Sequence, residues 1–473
     1  MTFYDQKFGP SSPASRPPVV PQKVAAPAPS AIAKLATAVV PEKQRKTLAY
    51  SALLTFSFLY FARPEDFIPG LAVISVGKIS GGLALLGLIL SWRKLGGKMP
   101  LAIKLVLVLL AHMCITVVFA FWRGGAFEVV RDEFSKAAIV AVLVSMIVVT
   151  ITELRQLLWV QAVSVSVMTI GAILVHPTVG GPTRLWGLGG VFSNPNDFAI
   201  NIAINFPLCL AFFFWTKGIL KKLLWGVALL FLMYGVVATY SRSGLIAMVM
   251  CFLICLWEFG IRGKRPQLIV AAILVVMAGG AFALTTPKYI ARIQTLVEGG
   301  DVEGSGDNGS LDARRELLMQ SIQTSFRYPI FGVGPGNFQA YTRSWHVTHN
   351  TYTQLSSETG FPGLALFLAI LFLTFRSIRA IRKTPSYRDD PQIRLFASAL
   401  NAGAGAYIVG ALFASTAYTL FPYFVVAYVS ALYKICSSPG TIHDKQPVGT
   451  SLNSKNTRNS YGKQEQHVLA GTR

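Results

Sequence analysis

Charged side chains are scarce in this sequence: they make up 14% of its 473 residues, against 53% hydrophobic residues and a mean hydropathy of +0.51. Such a chain is too apolar to be an ordinary soluble protein with several domains. Its apolar residues fall in runs of about 15 to 25, which is the length needed to cross a hydrocarbon core of about 30 Å. The sequence therefore predicts an all-α polytopic membrane protein.

Acidic residues and cysteines are also few. Only 21 Asp and Glu oppose 43 Lys and Arg, which gives a net charge of +22. Because this excess accompanies membrane-length apolar runs, we do not interpret it as a nucleic-acid footprint and expect no nucleic-acid partner. The five cysteines lie in or at the ends of predicted spans, which argues against a disulfide framework and predicts packing residues.

The apolar runs predict about 12 transmembrane helices. They lie at 48–62, 71–91, 101–121, 137–151, 157–175, 198–215, 223–240, 243–259, 268–285, 361–375, 395–415 and 419–434. The flanking residues 1–47 and 437–473 are polar or rich in proline and are predicted to be disordered tails. The membrane domain is thus expected at 48–436, with one large loop at 286–358 before the tenth helix.

Lysine and arginine fall unevenly among the short loops, and this bias predicts the orientation. Cytoplasmic loops retain positive charge, and the basic loops are those near residues 93–98, 155, 217–222, 262–265 and 376–394. We therefore expect both termini in the cytoplasm, in contact with anionic lipid. The loop at 286–358 is then periplasmic.

Polar residues between the fifth and sixth predicted spans suggest an anion site. Arg184 lies among glycines, and Asn194, Pro195, Asn196 and Asp197 precede a helix. Asn196 or Asp197 is expected to be the N-cap of that helix. Backbone N–H groups at a helix start can bind an anion.

Two further cations oppose the membrane pattern. Arg242 lies in the short turn TYSRSG at 239–244, on the side where short loops avoid positive charge, and so requires an anionic partner. That partner is either a ligand or a lipid phosphate to which the side chain snorkels. Lys78, inside the second predicted span, either lines a wet cavity or indicates that the helix begins near Gly77.

The external loop predicts one amphipathic helix and one tight turn. Ser310 can cap a helix with Leu311, Leu317, Leu318, Ile322 and Phe326 along one side. The turn FGVGPGNF at 331–338 lacks the preceding strand and the spacing of a nucleotide loop.

Histidines follow this turn. His346 and His349 lack a third ligand nearby, so we expect no metal and no cofactor. His349 suits proton abstraction, because an imidazole near arginines has a lowered pKa and stays neutral. Glu358 could orient its ring if the backbone turns back. The alternative is a surface histidine.

Three motifs together resemble the O-antigen ligase and O-antigen polymerase superfamily of bacterial membrane glycosyltransferases. They are VFSNPNDFA at 191–199, the TYSRSG turn, and the stretch from FGVGPGNF through His349 and Asn350, nine residues and Gly360-Phe-Pro-Gly363. The resemblance covers roughly residues 50–435. It implies a GT-C-like fold in the bacterial inner membrane.

The resemblance also implies a reaction. A glycan would pass from undecaprenyl pyrophosphate to an acceptor hydroxyl at the periplasmic face, in cell-surface polysaccharide biosynthesis and without a metal. His349 takes the place of the family's general base, and Arg184 and Arg242 take those of its pyrophosphate-binding arginines. A ligase uses lipid A-core as acceptor, whereas a polymerase uses another lipid-linked glycan. The alternative from another class is a transporter or flippase, for which mid-membrane charges and two related halves would be expected.

Overall fold

A computed structural model describes residues 48–64, 76–95, 98–175, 184–187, 192, 194–269, 310–344 and 346–437. Four predicted segments lie wholly or partly outside these residues. They are the tail at 1–47, the tail beyond Ser437, most of the span at 268–285 and the first part of the loop at 286–358. Within the described ranges the regular structure is entirely helical. The predicted all-α class is therefore confirmed for this part of the chain.

The helices follow the apolar runs of the sequence. Their bounds are α1 Leu48–Ala62, α2 Val76–Leu95, α3 Leu101–Val118, α4 Arg123–Val129, α5 Ser135–Ile147, α6 Ile151–Val175, α7 Pro195–Trp215, α8 Ile219–Ala238, α9 Arg242–Cys255, α10 Ser310–Arg327, α11 Phe338–Thr342, α12 Thr351–Ile381, α13 Pro385–Asp389, α14 Pro391–Gly410 and α15 Leu420–Ser437. A π-helical turn at Val130–Phe134 joins α4 to α5, and another at Leu256–Ile261 extends α9.

Seven of these helices are long and apolar enough to cross a membrane, namely α3, α6, α7, α8, α9 with its π-helical turn, α12 and α15. Helix α1 and the segment Gly77–Leu90 of α2 are apolar but shorter. The chain is thus a multi-pass membrane protein, and the count of 12 stays a prediction. Lys78 is exposed in the first described turn of α2, in line with a helix that begins near Gly77.

The cysteines agree with the sequence-based expectation. All five are free, and four of them are buried in the helix bundle, Cys114 alone being exposed.

Glycines let α14 pack closely against α7. A Cβ atom at Gly403 would lie 2.9 Å from the carbonyl oxygen of Ile204, and one at Gly410 would lie 2.9 Å from the Ile200 side chain. Small residues allow helix backbones to approach in this way where lipid offers no hydrophobic driving force between helices. The contact places the C-terminus of α14 beside the N-terminus of α7.

Two other helices begin at this same end of the bundle. A Cβ atom at Gly244, in the first turn of α9, would lie 2.2 Å from the Cβ atom of Ala199 in α7. The N–H of Thr351, the first residue of α12, donates to the carbonyl of Ala411 just beyond α14 at 2.8 Å. The starts of α7, α9 and α12 therefore lie together, and we call this the Arg242 end.

Helix α12 contains a break at Gly360. The backbone there has φ +74°, outside the helical region, and the N–H of the next residue, Phe361, donates to the carbonyl of Pro329 at 2.8 Å. A Cβ atom at Gly363 would meet the hydroxyl oxygen of Thr359 at 2.0 Å. The G-x-x-G pattern of the sequence is therefore the joint at which the segment containing Pro329 docks on α12.

Replacing Gly360 with alanine is expected to destabilise the protein. The added Cβ atom would lie 2.3 Å from the Ile330 carbonyl oxygen, and the positive φ alone costs an L-residue about 1–3 kcal/mol. Thermal unfolding of the purified protein in detergent measures the effect as a lower midpoint.

The matched control is Gly82→Ala in α2, where an added Cβ atom meets nothing within 4 Å. Alanine is the better helix former, so this variant is expected to unfold at the same or a slightly higher temperature. Equal midpoints for the two variants would contradict the assignment of Gly360 as the joint.

Candidate functional site

Arg184, Asn196 and the 239–244 turn form one hydrogen-bonded network at the Arg242 end. Arg184 donates from Nη2 to Oδ1 of Asn196 at 3.0 Å and from Nε to the carbonyl of Thr239 at 3.1 Å. The hydroxyl of Ser241 donates to the same Oδ1 at 2.7 Å. Two sequence segments that were expected to bind an anion thus meet in space.

The N-cap of α7 is Asn194, so the expectation of Asn196 or Asp197 at that position was wrong. The Asn194 side chain accepts from the backbone N–H of Asn196 at 2.8 Å, and Pro195 is the first helical residue. Proline suits that position because the N–H it lacks would have no partner in the helix. Asn196, one residue into α7, is thereby free to bridge Arg184 and Ser241.

Helix α9 begins next to this network. Its N-cap is Ser241, whose hydroxyl accepts from the N–H of Gly244 at 3.1 Å and also contacts the hydroxyl of Ser243 at 2.9 Å. The N-termini of α7 and α9 therefore converge. Both carry partial positive charge from their first N–H groups, which favours an anion between them.

Arg242 is the first residue of α9, and one nitrogen of its guanidinium is unsatisfied. Nη1 is buried and has no hydrogen-bond partner among the described residues. A buried, unpaired group of this kind costs about 1–3 kcal/mol or more when charged. An anion, from a ligand or from a lipid phosphate, would satisfy this nitrogen.

His349 is held in a strained conformation at the same end. Its φ of +52° lies in the left-handed region, which non-glycine residues adopt rarely and which is frequent at functional sites. The flanking residues are anchored: Asn350 caps α12 and donates to the carbonyl of Leu412 at 3.1 Å, and Thr348 contacts Ser415 at 3.0 Å. These contacts hold the chain on both sides of the half-buried His349.

The pKa of His349 is lowered to about 4, first by burial and then by the positive charges of Arg314 and His346. The imidazole is therefore neutral near pH 7, as proton abstraction requires. The sequence predicted the direction of this shift. It did not identify Arg314, which lies in the described part of α10 and reaches His349 only through the tertiary fold.

Helix α10 was predicted and is confirmed, but its buried face differs from the apolar stripe. Leu317 is buried, whereas Phe326 is 72% exposed. Ser321 and Ser325 are buried, and the Ser325 hydroxyl lies 2.7 Å from that of Ser356 in α12. The helix is thus docked against α12 partly through small polar residues, and this contact positions Arg314.

Glu358 is buried near the glycine turn. Its carboxylate accepts from the N–H groups of Gly336 at 2.9 Å and Phe338 at 3.4 Å, and from the hydroxyl of Tyr418 at 2.6 Å. It lies seven residues into α12, about 10 Å along the axis from its start. Among the described residues, Glu358 forms no hydrogen bond with His349. Its carboxylate holds the FGVGPGNF turn instead of orienting the imidazole.

The histidine and the arginines share the Arg242 end. Tyr407 in α14 lies near this end as well: its hydroxyl is 3.3 Å from that of Thr416, which in turn contacts Thr351. Asp197 and Tyr352 both lie within electrostatic range of Tyr407. Among the described residues, no three His, Cys, Asp or Glu side chains are grouped as metal ligands would be.

Comparison with known proteins identifies one similar family. Residues 227–368 match the family model described as O-antigen ligase. A search of curated proteins finds no match. The matched segment includes Arg242, Arg314, His349 and Glu358, and the matched family comprises membrane ligases and polymerases of glycan biosynthesis. Over residues 227–368 the chain is therefore similar to the O-antigen ligase family.

Proposed function

We propose that the protein transfers a glycan from undecaprenyl pyrophosphate to an acceptor hydroxyl at the periplasmic face of the bacterial inner membrane. Both termini would then lie in the cytoplasm. The observation that carries the proposal is the buried, unpaired Nη1 of Arg242 at the point where two helix N-termini converge. A pyrophosphate supplies the anionic oxygens that this site needs.

The proposed reaction is an inverting displacement. The acceptor hydroxyl gives its proton to His349, and its oxygen forms a bond to the anomeric carbon of the donor sugar. The bond from that carbon to the pyrophosphate oxygen breaks, and its electron pair leaves with the pyrophosphate. Arg242 and Arg184 bind the leaving group and stabilise the negative charge that develops on it, with Asn194 and Asn196 holding the network in place.

Glu358 has a positioning role in this proposal. Its hydrogen bonds to Gly336, Phe338 and Tyr418 fix the glycine turn beside α12. The turn docks where α12 breaks at Gly360. The helix that presents His349 is thereby held in one orientation.

A ligase and a polymerase would use the same site with different acceptors. We propose ligase-like transfer to lipid A-core, in lipopolysaccharide synthesis, and retain as the second candidate the polymerase that joins lipid-linked repeat units in exopolysaccharide synthesis. The family match favours both enzymes over the transporter considered from the sequence. No cofactor is included in the proposal.

Reconstitution in vesicles tests the proposal. The purified chain is supplied with a labelled undecaprenyl-pyrophosphate-linked glycan, with and without lipid A-core, in the presence of EDTA. Label on lipid A-core is the expected result. Long lipid-linked chains that form without lipid A-core would identify a polymerase, loss of transfer with EDTA would exclude metal independence, and no product with either acceptor would overturn the proposal.

Replacing Arg314 with glutamine is expected to move the acid limb of the rate profile to higher pH. The positive charge of Arg314 lowers the pKa of His349, so its removal raises that pKa from about 4 toward 6.5. The imidazole must be neutral to act as base, so kcat/KM should begin to fall at a higher pH than in the parent protein.

The control is Arg315→Gln, which removes an exposed charge from the next position of α10. Its pH profile should match that of the parent. The shift remains incomplete in Arg314→Gln, because burial is the largest cause of the lowered pKa and is unchanged. An unchanged acid limb would contradict His349 as the titrating base.

A further inference from the structure

A second charged site lies at the opposite end of α9 from Arg242. Glu258 is buried in the π-helical turn at Leu256–Ile261, 16 residues beyond Arg242 and therefore about 24 Å away along the helix. Arg382, just beyond α12, donates to its Oε1 at 2.6 Å. The site is separate from the proposed glycan-transfer site, and we call it the Glu258 end.

The carboxylate of Glu258 is fully used by protein groups. Besides Arg382, it accepts from Asn401 at 3.0 Å and from Ser398 at 3.1 Å, and Arg262 lies 3.6 Å away. The single negative charge of Glu258 offsets the positive charge of only one of the three arginines around it, Arg262, Arg379 and Arg382. The surrounding charge is therefore positive.

A cavity of about 420 Å³ opens beside this cluster. Its lining is Leu253, Ile254, Trp257, Glu258, Phe375, Arg379, Arg382 and Asn401. This volume falls in the range of small-molecule sites, about 300–1,000 Å³. One side of the cavity is apolar and the other is cationic.

Two of its arginines have unused hydrogen-bonding capacity. Nε of Arg382 is buried and has no hydrogen-bond partner among the described residues, and Arg379 is an exposed residue of the cavity lining. The apolar wall faces outward, with Leu253 55% exposed and Trp257 56% exposed on helices that span the membrane. Acyl chains would contact that wall while an anion occupies the arginines.

The π-helical turn creates this arrangement. The N–H of Arg262 donates to the carbonyl of Trp257 and that of Arg265 to the carbonyl of Gly260, each five residues back. The wider turn places Glu258 inward and Trp257 outward. Such turns inside α-helices are frequent at functional sites.

We propose that this cavity binds the phosphate of an anionic phospholipid, with Arg379 and Nε of Arg382 on the phosphate and Trp257 beside the acyl chains. The charge bias of the loops predicts that the Glu258 end faces the cytoplasm, where a leaflet rich in anionic lipid would supply the ligand. The lipid bridges α9 and α12 at the end away from the glycan-transfer site.

Lipid binding to the delipidated full-length chain in detergent tests the proposal. Native mass spectrometry measures the affinity for dioleoyl phosphatidylglycerol, for dioleoyl phosphatidylcholine and for inorganic phosphate. We expect the first to bind at least about fivefold more tightly than the second, since one arginine near a lipid surface contributes about that factor. Equal affinities would overturn the proposal, and so would inorganic phosphate binding as tightly as phosphatidylglycerol.

Arg379→Gln is expected to weaken phosphatidylglycerol binding by about fivefold without changing that of phosphatidylcholine. The matched control is Arg376→Gln, an exposed arginine one turn earlier in α12 that does not line the cavity. It should bind like the parent. An equal loss of phosphatidylglycerol affinity in both variants would mean that the lipid binds to diffuse surface charge. An unchanged affinity in Arg379→Gln would show that the lipid does not bind in the cavity.

Discussion

Replacing His349 with alanine is expected to lower glycan transfer by about a hundredfold to ten-thousandfold, the contribution of a positioned general base. The physical basis is the pKa of about 4, which keeps the imidazole neutral and able to accept a proton at pH 7. The label-transfer assay in vesicles measures the rate. Binding of the lipid-linked donor should change little, because the base acts on the acceptor.

His346→Ala is the control for this variant. His346 lies three residues earlier and is exposed, and no role in proton transfer is proposed for it. Its removal slightly raises the pKa of His349 and should leave the rate near pH 7 unchanged. Full activity of His349→Ala, with normal insertion in the membrane, would show that another group removes the proton.

The sequence predicted the fold because membrane helices are local. Apolar runs of sufficient length indicate spans directly, and each predicted span other than 268–285 overlaps a described helix. The predicted helix bounds differ from the observed ones where tertiary contacts alter a helix. The break in α12 at Gly360 depends on contact with Pro329 and Ile330, which lie about 30 residues earlier in the chain. The spacing of apolar residues within a helix gives no information on such a contact.

The candidate residues at the Arg242 end were predictable because they oppose the membrane pattern. Arg184 and Arg242 are cations on the side that should avoid them, and the structure connects Arg184 to the Arg242 turn through Asn196. The N-cap at Asn194 was also readable, since an asparagine before proline favours the extended conformation that a cap needs. The prediction placed the N-cap at Asn196 or Asp197 instead.

Two features of the site depend on three-dimensional contacts alone. Arg314 influences His349 because α10 docks on α12 through Ser325 and Ser356, whereas the apolar stripe suggested a different buried face. Glu358 contacts Gly336, Phe338 and Tyr418, which are distant from it in sequence. Spacing along the chain could not distinguish this role from an interaction with His349.

Arg242→Ala is expected to lower kcat by about a hundredfold to a thousandfold, as does the loss of one donor to a developing negative charge. The effect on KM should be smaller, because the charge on the leaving pyrophosphate increases in the transition state. Arg242→Lys should recover only part of the rate, since an ammonium group cannot form the paired hydrogen bonds of a guanidinium.

Arg242→Ala should not lower the stability of the protein, and this distinguishes a ligand-binding arginine from a structural one. Nη1 of Arg242 is buried without a partner, at a cost of about 1–3 kcal/mol that alanine removes. The thermal midpoint of Arg242→Ala in the absence of donor should therefore equal or exceed that of the parent.

Arg184→Ala provides the comparison, because Arg184 already donates to Asn196 and Thr239. Its removal leaves those acceptors unpaired, so both the thermal midpoint and the transfer rate should fall. Donor lipid should raise the midpoint of the parent and raise that of Arg242→Ala by less, because the stabilisation by a ligand grows with its affinity for the folded state. If Arg242→Ala unfolded at a lower temperature than Arg184→Ala, the guanidinium would be a structural element of α9, and the anion site would have to lie elsewhere.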